Sequence, residues 1–421
     1  MSVTDEVQVL IIGGGIAGCS LAYRLAEAGC AEVMLLEKSE LTSGSTWHAA
    51  GNVPLYMGGR LHEHASLLVG LHKHSLDFYR RFAEHSGRDV GFHACGSLKV
   101  ATRQSELDSQ ISFSLFAEQE QIRFEVLDTA QVCEKFPYLN PDGIHSAAWT
   151  PDDGHIDPGA LATALAEEAV ELGAKLHRRQ PVTAIERQAD GRWLVHTPQR
   201  VVVASQLVNA AGLHAREISK LVGHSVPVVP MERQYLLTDT LPDIEDVEAE
   251  LPVLRDASAP LYARQEGGSL LLGLYDNEPV FWSVDSTPAS FDQELLPPDL
   301  ERVDEALQKA MRRLPVLHEV GVKRVINGPL LRTPDACPLV GPVADIPGYW
   351  LNTGYFAGVA QAGGCTGLLA DWLLGRPPSA DVSSINPSRF GDDVDVHRTM
   401  ALTRRAYSEE LGRTVVDGTR M

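Results

Sequence analysis

The chain has 421 residues, 44% of them hydrophobic and 22% charged, which is enough apolar material for two or three domain-sized units with cores of their own. Lys and Arg total 36 against 56 Asp and Glu, and the net charge of −20 excludes a basic nucleic-acid footprint and disfavours anionic membrane surfaces. Six cysteines without a C-x-x-C pair, and no apolar run long enough to cross a bilayer, exclude a disulfide framework, a cysteine zinc site and a membrane span. With a strand-like run starting almost at once and no room before it for a leader peptide, the expected location is a reducing cytoplasm.

Residues 7–12 (VQVLII) predict a strand, and Gly13, Gly15 and Gly18 follow it as G-x-G-x-x-G. Residues 16–28 have the pattern of a helix stopped by Gly29, and residues 33–36 predict a second strand that ends at Glu37. Strand, glycine turn, helix, strand and acid stand in the order of a dinucleotide-binding βαβ unit. Gly13 permits the tight turn, Gly15 the approach of the backbone to a pyrophosphate, and Gly18 the close packing of helix on strand. The helix start, with Ile16 and Ala17, offers free N–H groups and partial positive charge to phosphates. Glu37 suits ribose hydroxyls and repels a 2′-phosphate. This motif alone does not separate FAD from NAD.

The next segment separates them. Instead of a second helix, Lys38 leads into a loop of small residues, Gly44, Ser45 and Thr46, and then Trp47, His48, Ala49, Ala50, Gly51 and Asn52. The string LLEKSELTSGSTWHAAG (35–51) resembles the flavoprotein portion of the dimethylglycine and sarcosine dehydrogenases, within the wider D-amino-acid-oxidase-like flavoenzymes. Further strings carry the resemblance along the chain: GFHACGSL (91–98), DDGHIDPGAL (152–161), VNAAG (208–212), LPVLRD (251–256), YARQE (262–266), VINGPLLRTPD (325–335) and INPSRFG (385–391). It implies an α/β fold of glutathione-reductase/D-amino-acid-oxidase type, with a Rossmann-like FAD-binding domain and a mainly antiparallel substrate domain. It also implies FAD as cofactor, joined covalently through His48. A buried histidine hydrogen-bonded near the cofactor is the alternative.

In chain order, residues 60–84 predict a helix with His62, His64, His72 and His74, no two of them spaced to share a metal on one face, so no metal is expected. Residues 159–172 predict a helix and 185–195 a hairpin, and the resemblance sets Val182, between them, at the adenine side of FAD. Strand-like runs at 201–203 and 207–208 end at Gly212, in the crevice where doubly wound sheets bind ligands. The resemblance makes His214 a further cofactor contact; a surface-turn histidine is the alternative. Strand-like runs at 226–229, 235–238 and 269–274, set among acidic loops, predict an antiparallel layer, to which 91–100 is assigned. A short strand at 349–352 precedes Gly354, Tyr355, Phe356, Ala357, Gly358 and Val359 and then a helix over 360–374. The resemblance aims this second glycine turn at the flavin pyrimidine, where a positive helix end favours the reduced anion. A tail helix is expected over 400–411. The division expected is FAD-binding domain 1–90, 150–225 and 325–395, substrate domain 91–149 and 226–324, and C-terminal tail 396–421.

The activity implied is FAD-dependent oxidation of the C–N bond of a small N-methylated or secondary amino acid by hydride transfer, with hydrolysis of the iminium. Tyr262 falls at the family's active-site tyrosine. Arg233 stands where the family carries histidine, and since arginine stays charged it suits a carboxylate clamp better than a base; Arg332 is a second clamp candidate, and either arginine has an interface ion pair as its alternative. The family's folate-binding half is absent from these residues, so a demethylation is expected to release formaldehyde or to pass it to a separate folate-binding partner. The expected electron acceptor is oxygen, a quinone or an electron-transfer flavoprotein. Two rival readings are a same-fold 2-hydroxy-acid dehydrogenase and an FAD-carrying electron-transfer subunit of a hetero-oligomer.

Overall fold

The computed structural model describes residues 3–57, 65–378, 380–391 and 395–410. Among these residues the fold is built on two eight-stranded sheets. The first runs Leu339–Pro342, Tyr349–Thr353, Arg200–Asn209, Val3–Ile12, Val33–Leu36, Lys175–His177. All neighbours in this row are parallel except the outermost pair, and the hairpin Ala184–Arg187/Trp193–His196 adds antiparallel strands to Arg200–Asn209. The sheet is covered on both faces, which is why its strands read as unbroken apolar runs: Val9, Ile11 and Leu35 enter one core, while Leu10, Ile12 and Leu36 enter another. The helices Ile16–Glu27, Pro158–Glu171, Ala65–Ser86 and Gly358–Leu373 contribute to the first of these cores.

The second sheet runs Val322–Arg332, Val229–Thr238, Ser269–Leu274, Leu261–Glu266, Val253–Asp256, Ser97–Ala101, Ser146–Thr150, Glu125–Leu127. It is antiparallel except where Val253–Asp256 lies parallel to Ser97–Ala101. The expected boundary at 325 falls inside its edge strand, because the ladder with Val229–Thr238 holds the chain in this sheet as far as Arg332. A short third pairing joins Asn52–Val53 to Gly154–His155. The tail forms a helix over Val396–Glu410, four residues earlier than its apolar pattern starts, with Asp395 accepting from the backbone N–H of Arg398. His62 and His64, and the tail beyond 410, lie outside the described residues. Among those residues no helix is long and apolar enough to cross a membrane.

Candidate active site

A single cavity of about 630 Å³ is lined by residues of both sheets. At one end the strand Val3–Ile12 runs into the glycine turn, where Gly13 has a φ of +116° and a side chain on Gly18 would stand 1.9 Å from the Gly13 carbonyl oxygen. Helix Ile16–Glu27 therefore starts hard against the strand. Its N-cap, Gly15, supplies no side-chain cap; instead Thr46 Oγ1, thirty residues on, accepts from Ile16 N at 3.1 Å. Glu37 is buried, with Oε2 accepting from Gly14 N at 2.6 Å and Oε1 from Ser39 N at 2.8 Å, so it pins the turn as well as lining the cavity. A second helix, Gly358–Leu373, also begins at the wall without a side-chain cap, at Ala357.

The loop 43–52 is held from the second sheet at Ser45 and Ala50, and Lys38, just before it, is tied to the segment at Phe291. Ser45 Oγ donates to Pro329 O at 2.6 Å, Arg264 Nε to Ala50 O at 3.0 Å, and Lys38 Nζ to Phe291 O at 2.7 Å. Asn52 pairs along the backbone with His155, whose Nε2 contacts Glu250 at 2.8 Å; His93 Nδ1 reaches the other oxygen of Glu250 at 2.9 Å. His48 lies against Gly328, where a Cβ would stand 2.5 Å from the imidazole Cε1. Burial lowers the His48 pKa to about 4, so the ring is neutral at pH 7, and Nε2 is buried without a hydrogen-bond partner in the protein.

The far end is one transverse row of the second sheet. Lys99, Arg255, Tyr262, Gly273 and Tyr235 are successive register partners on adjacent strands, and all of them except Gly273 line the cavity. Gly273 is there for room, since a Cβ would lie 2.0 Å from Cζ of Tyr262. Burial pushes the Tyr262 phenol well above its ordinary pKa, so it is neutral at pH 7. Arg233 stacks 4.1 Å from the centroid of Tyr275 and donates to Tyr407 Oη at 2.8 Å. Asp276 lies 3.5 Å from Arg233 and 2.5 Å from Arg302, which also pairs with Glu232 at 2.8 Å.

Residues 8–372 match the family model described as FAD dependent oxidoreductase. The chain is a member of that family. This oxidoreductase is 39% identical over 411 residues to the mitochondrial dimethylglycine dehydrogenase of Mus musculus, an alignment that covers 96% of this chain and 46% of the relative. It is 34% identical over 386 residues to the 4-methylaminobutanoate oxidase (formaldehyde-forming) of Paenarthrobacter nicotinovorans, covering 91% of this chain and 46% of that one. The chain thus spans about half the length of these curated relatives. Among solved structures, L-proline dehydrogenase from P. horikoshii superposes with a TM-score of 0.79 at 22% identity, covering 92% of this chain and 98% of that one.

The cavity of the oxidoreductase fits FAD on its own chemistry. Two helix starts whose N-cap residues supply no side-chain cap border it, the first with only Ile16 N engaged, by Thr46 Oγ1, and His48 Nε2, Asn52 Oδ1 and Thr353 Oγ1 on its wall are buried polar atoms with no protein partner. Gly13, Gly15, Ile16, Ala17, Glu37, Lys38, Gly44, Ser45, Thr46, His48, Ala49, Ala50, Gly51, Asn52, Val182, Gly212, His214 and residues 354–359 all line the cavity. Three of the residues singled out in the sequence are not on its wall. Gly18 is occupied in packing against Gly13, Trp47 stands edge-on to His48 with ring centroids 5.8 Å apart, and Arg332 is fully buried with its guanidinium 4.5 Å from the ring of Phe356. Burial and the charge of Lys38 hold His214 at about 4, so it is no exposed turn histidine. Lys99, Arg255, Tyr275 and Tyr407 line the cavity too, and sequence reasoning missed them as site residues. LPVLRD carried Arg255 and GFHACGSL stopped one residue short of Lys99, but neither string shows that the two side chains meet.

Proposed function

We propose that this flavoprotein oxidises the C–N bond of a small N-methylated or secondary amino acid. One observation carries the reading: a single cavity joins the glycine-turn end to a wall that is cationic and phenolic together, with Arg255, Lys99, Tyr262, Tyr275 and Tyr407. Cations suit a substrate carboxylate, and phenol faces and hydroxyls suit an amine. The names of the relatives, dimethylglycine dehydrogenase and 4-methylaminobutanoate oxidase, support the same class.

When bound, FAD supplies a two-electron acceptor for hydride. The segments on the first sheet would hold it, with the helix start at Ile16 and Ala17 facing the pyrophosphate, Glu37 a ribose, Val182 the adenine side, and residues 354–359 the pyrimidine end. The neutral, unpartnered Nε2 of His48 supports a covalent attachment there, since only an unprotonated nitrogen has the lone pair to form that bond. The segments on the second sheet would hold substrate. Tyr262 orients the amine so that its lone pair supports the carbon losing hydride, and water hydrolyses the resulting iminium.

We read the one-carbon product of a demethylation as formaldehyde, released or passed to a separate folate-binding protein, and the re-oxidant as oxygen, a quinone or an electron-transfer flavoprotein. Six free thiols support a reducing compartment such as the cytoplasm. The test is anaerobic mixing of the yellow protein with a panel of amines and acids. Bleaching of the flavin band by sarcosine-like amines is expected. Bleaching by 2-hydroxy acids alone, or by nothing in the panel, overturns the reading.

A further inference from the structure

Lys99 and Arg255 are directly paired residues on two parallel strands of the second sheet. Like charges set opposite each other in a sheet repel, and neither Lys99 nor Arg255 has a carboxylate within ion-pair distance among the described residues. Both side chains line the cavity. Lys99 Nζ donates to the carbonyl oxygen of Met57, and Arg255 donates to the carbonyl oxygen of Tyr56, while Arg255 Nε is buried with no partner. Nearby acids are committed elsewhere: Glu106 accepts from Thr102 N and from Arg103, and Asp153 accepts from Leu55 N and Ser97 Oγ. The ring of Tyr56 lies 5.7 Å from Lys99 Nζ. Two adjoining half-buried basic side chains with no carboxylate partner, opening on a cavity, make a site for an anion.

Arg233 is less suited to that place. Asp276 faces it across 3.5 Å, and Tyr407 Oη already accepts from its Nη1. Resting on the amino-acid reading above, we propose that Arg255 and Lys99 together hold the substrate carboxylate, and that Lys99 takes the proton which the substrate ammonium must lose. The step balances: the substrate N–H bond breaks, its electron pair stays on nitrogen as the lone pair, and the proton forms a fourth bond to Lys99 Nζ. The carboxylate then pairs with the ammonium so formed, and the same binding event frees the amine for oxidation.

Burial, and then the charge of Arg255, lower the Lys99 pKa to about 7, so the side chain is largely neutral at pH 8 before substrate arrives. Arg255 is held charged by its higher intrinsic pKa. An amine-free carboxylate such as methoxyacetate cannot bring its own proton, so Lys99 must take one from solvent when it binds. A zwitterionic substrate brings its own.

The experiment titrates methoxyacetate against the yellow holoprotein by flavin absorbance between pH 6 and 9, in the wild type, Lys99→Met and Lys99→Arg. The wild-type Kd is expected to rise about tenfold per pH unit above 7, with uptake of close to one proton at pH 8. Lys99→Met is expected to bind weakly at every pH, and Lys99→Arg to bind tightly at every pH. Lys99→Arg, charged but unable to accept a proton, is expected to oxidise the amine roughly 10²-fold or more slowly. The proposal is overturned if the pH slope survives in Lys99→Met, or if Lys99→Arg turns over amine at the wild-type rate. Failure of methoxyacetate to perturb the wild-type flavin would instead overturn the amino-acid reading, and this proposal with it.

Discussion

His48 and Gly328 form a steric couple across the two sheets. The imidazole has the space it needs because position 328 has no side chain: a methyl there would sit 2.5 to 2.7 Å from three of the ring atoms. Gly328 is a register partner of Arg233 in the middle of a ladder, so the backbone cannot give way without loosening that strand pair. The ring must move instead, and its Nε2 leaves the cavity wall. Gly328→Ala is therefore expected to fold but to carry less flavin, and acid precipitation of His48→Ala is expected to leave a yellow supernatant over a colourless pellet. Absorbance at the flavin band per mole of protein, before and after precipitation, measures both. A wild-type pellet without colour would sink the covalent attachment while leaving non-covalent FAD standing.

At the scale of elements, the tail helix Val396–Glu410 closes the cationic end of the cavity. Its buried Tyr407 accepts from Arg233 Nη1 at 2.8 Å and donates to Asp276 O at 3.1 Å, and Arg404 lies 4.9 Å from the ring of Phe281. None of the cavity-lining residues around the glycine turn or the 43–52 loop belongs to this helix. Removal of residues 396–421 is expected to leave the protein yellow while raising KM for the amine about tenfold or more. Tyr407→Phe, which keeps the ring and loses two hydrogen bonds, should cost about 1–3 kcal/mol of stability through the buried partners it leaves unsatisfied, with a smaller rise in KM. Steady-state kinetics with flavin quantification separates the two effects. Equal loss of flavin and of substrate affinity in the truncated protein would show that the helix supports the whole fold rather than one end of the cavity.

Across the whole molecule, what was legible in the sequence was what is local in the chain. The glycine turn, its two strands and Glu37 lie within 31 residues, so each part of that unit stands next to the residues that signal it. The row Lys99, Arg255, Tyr262, Gly273, Tyr235 was not legible, because it gathers five strands through sheet register, which no short string records. The same long-range assembly gives the 48–57 loop an acid sensitivity. His72 Nδ1 donates to Pro54 O at 2.8 Å and His155 pairs along the backbone with Asn52; burial lowers both histidines to about 4, with Arg264 adding to the effect at His155. A histidine whose folded pKa lies below its unfolded value near 6.5 binds fewer protons in the native state, so stability falls as pH drops from about 6.5 towards 4. Buried Asp153, raised to about 7 by burial, acts in the opposite sense, because its native carboxyl is already protonated over much of that window, and it offsets one of the two histidines. The net expectation is a Tm that declines between pH 6.5 and 4.5, and a shallower decline in His72→Gln, whose amide keeps a donor for Pro54 but does not titrate. Calorimetry across that range checks it, and an equal slope in the variant and the wild type would show that the acid lability arises elsewhere.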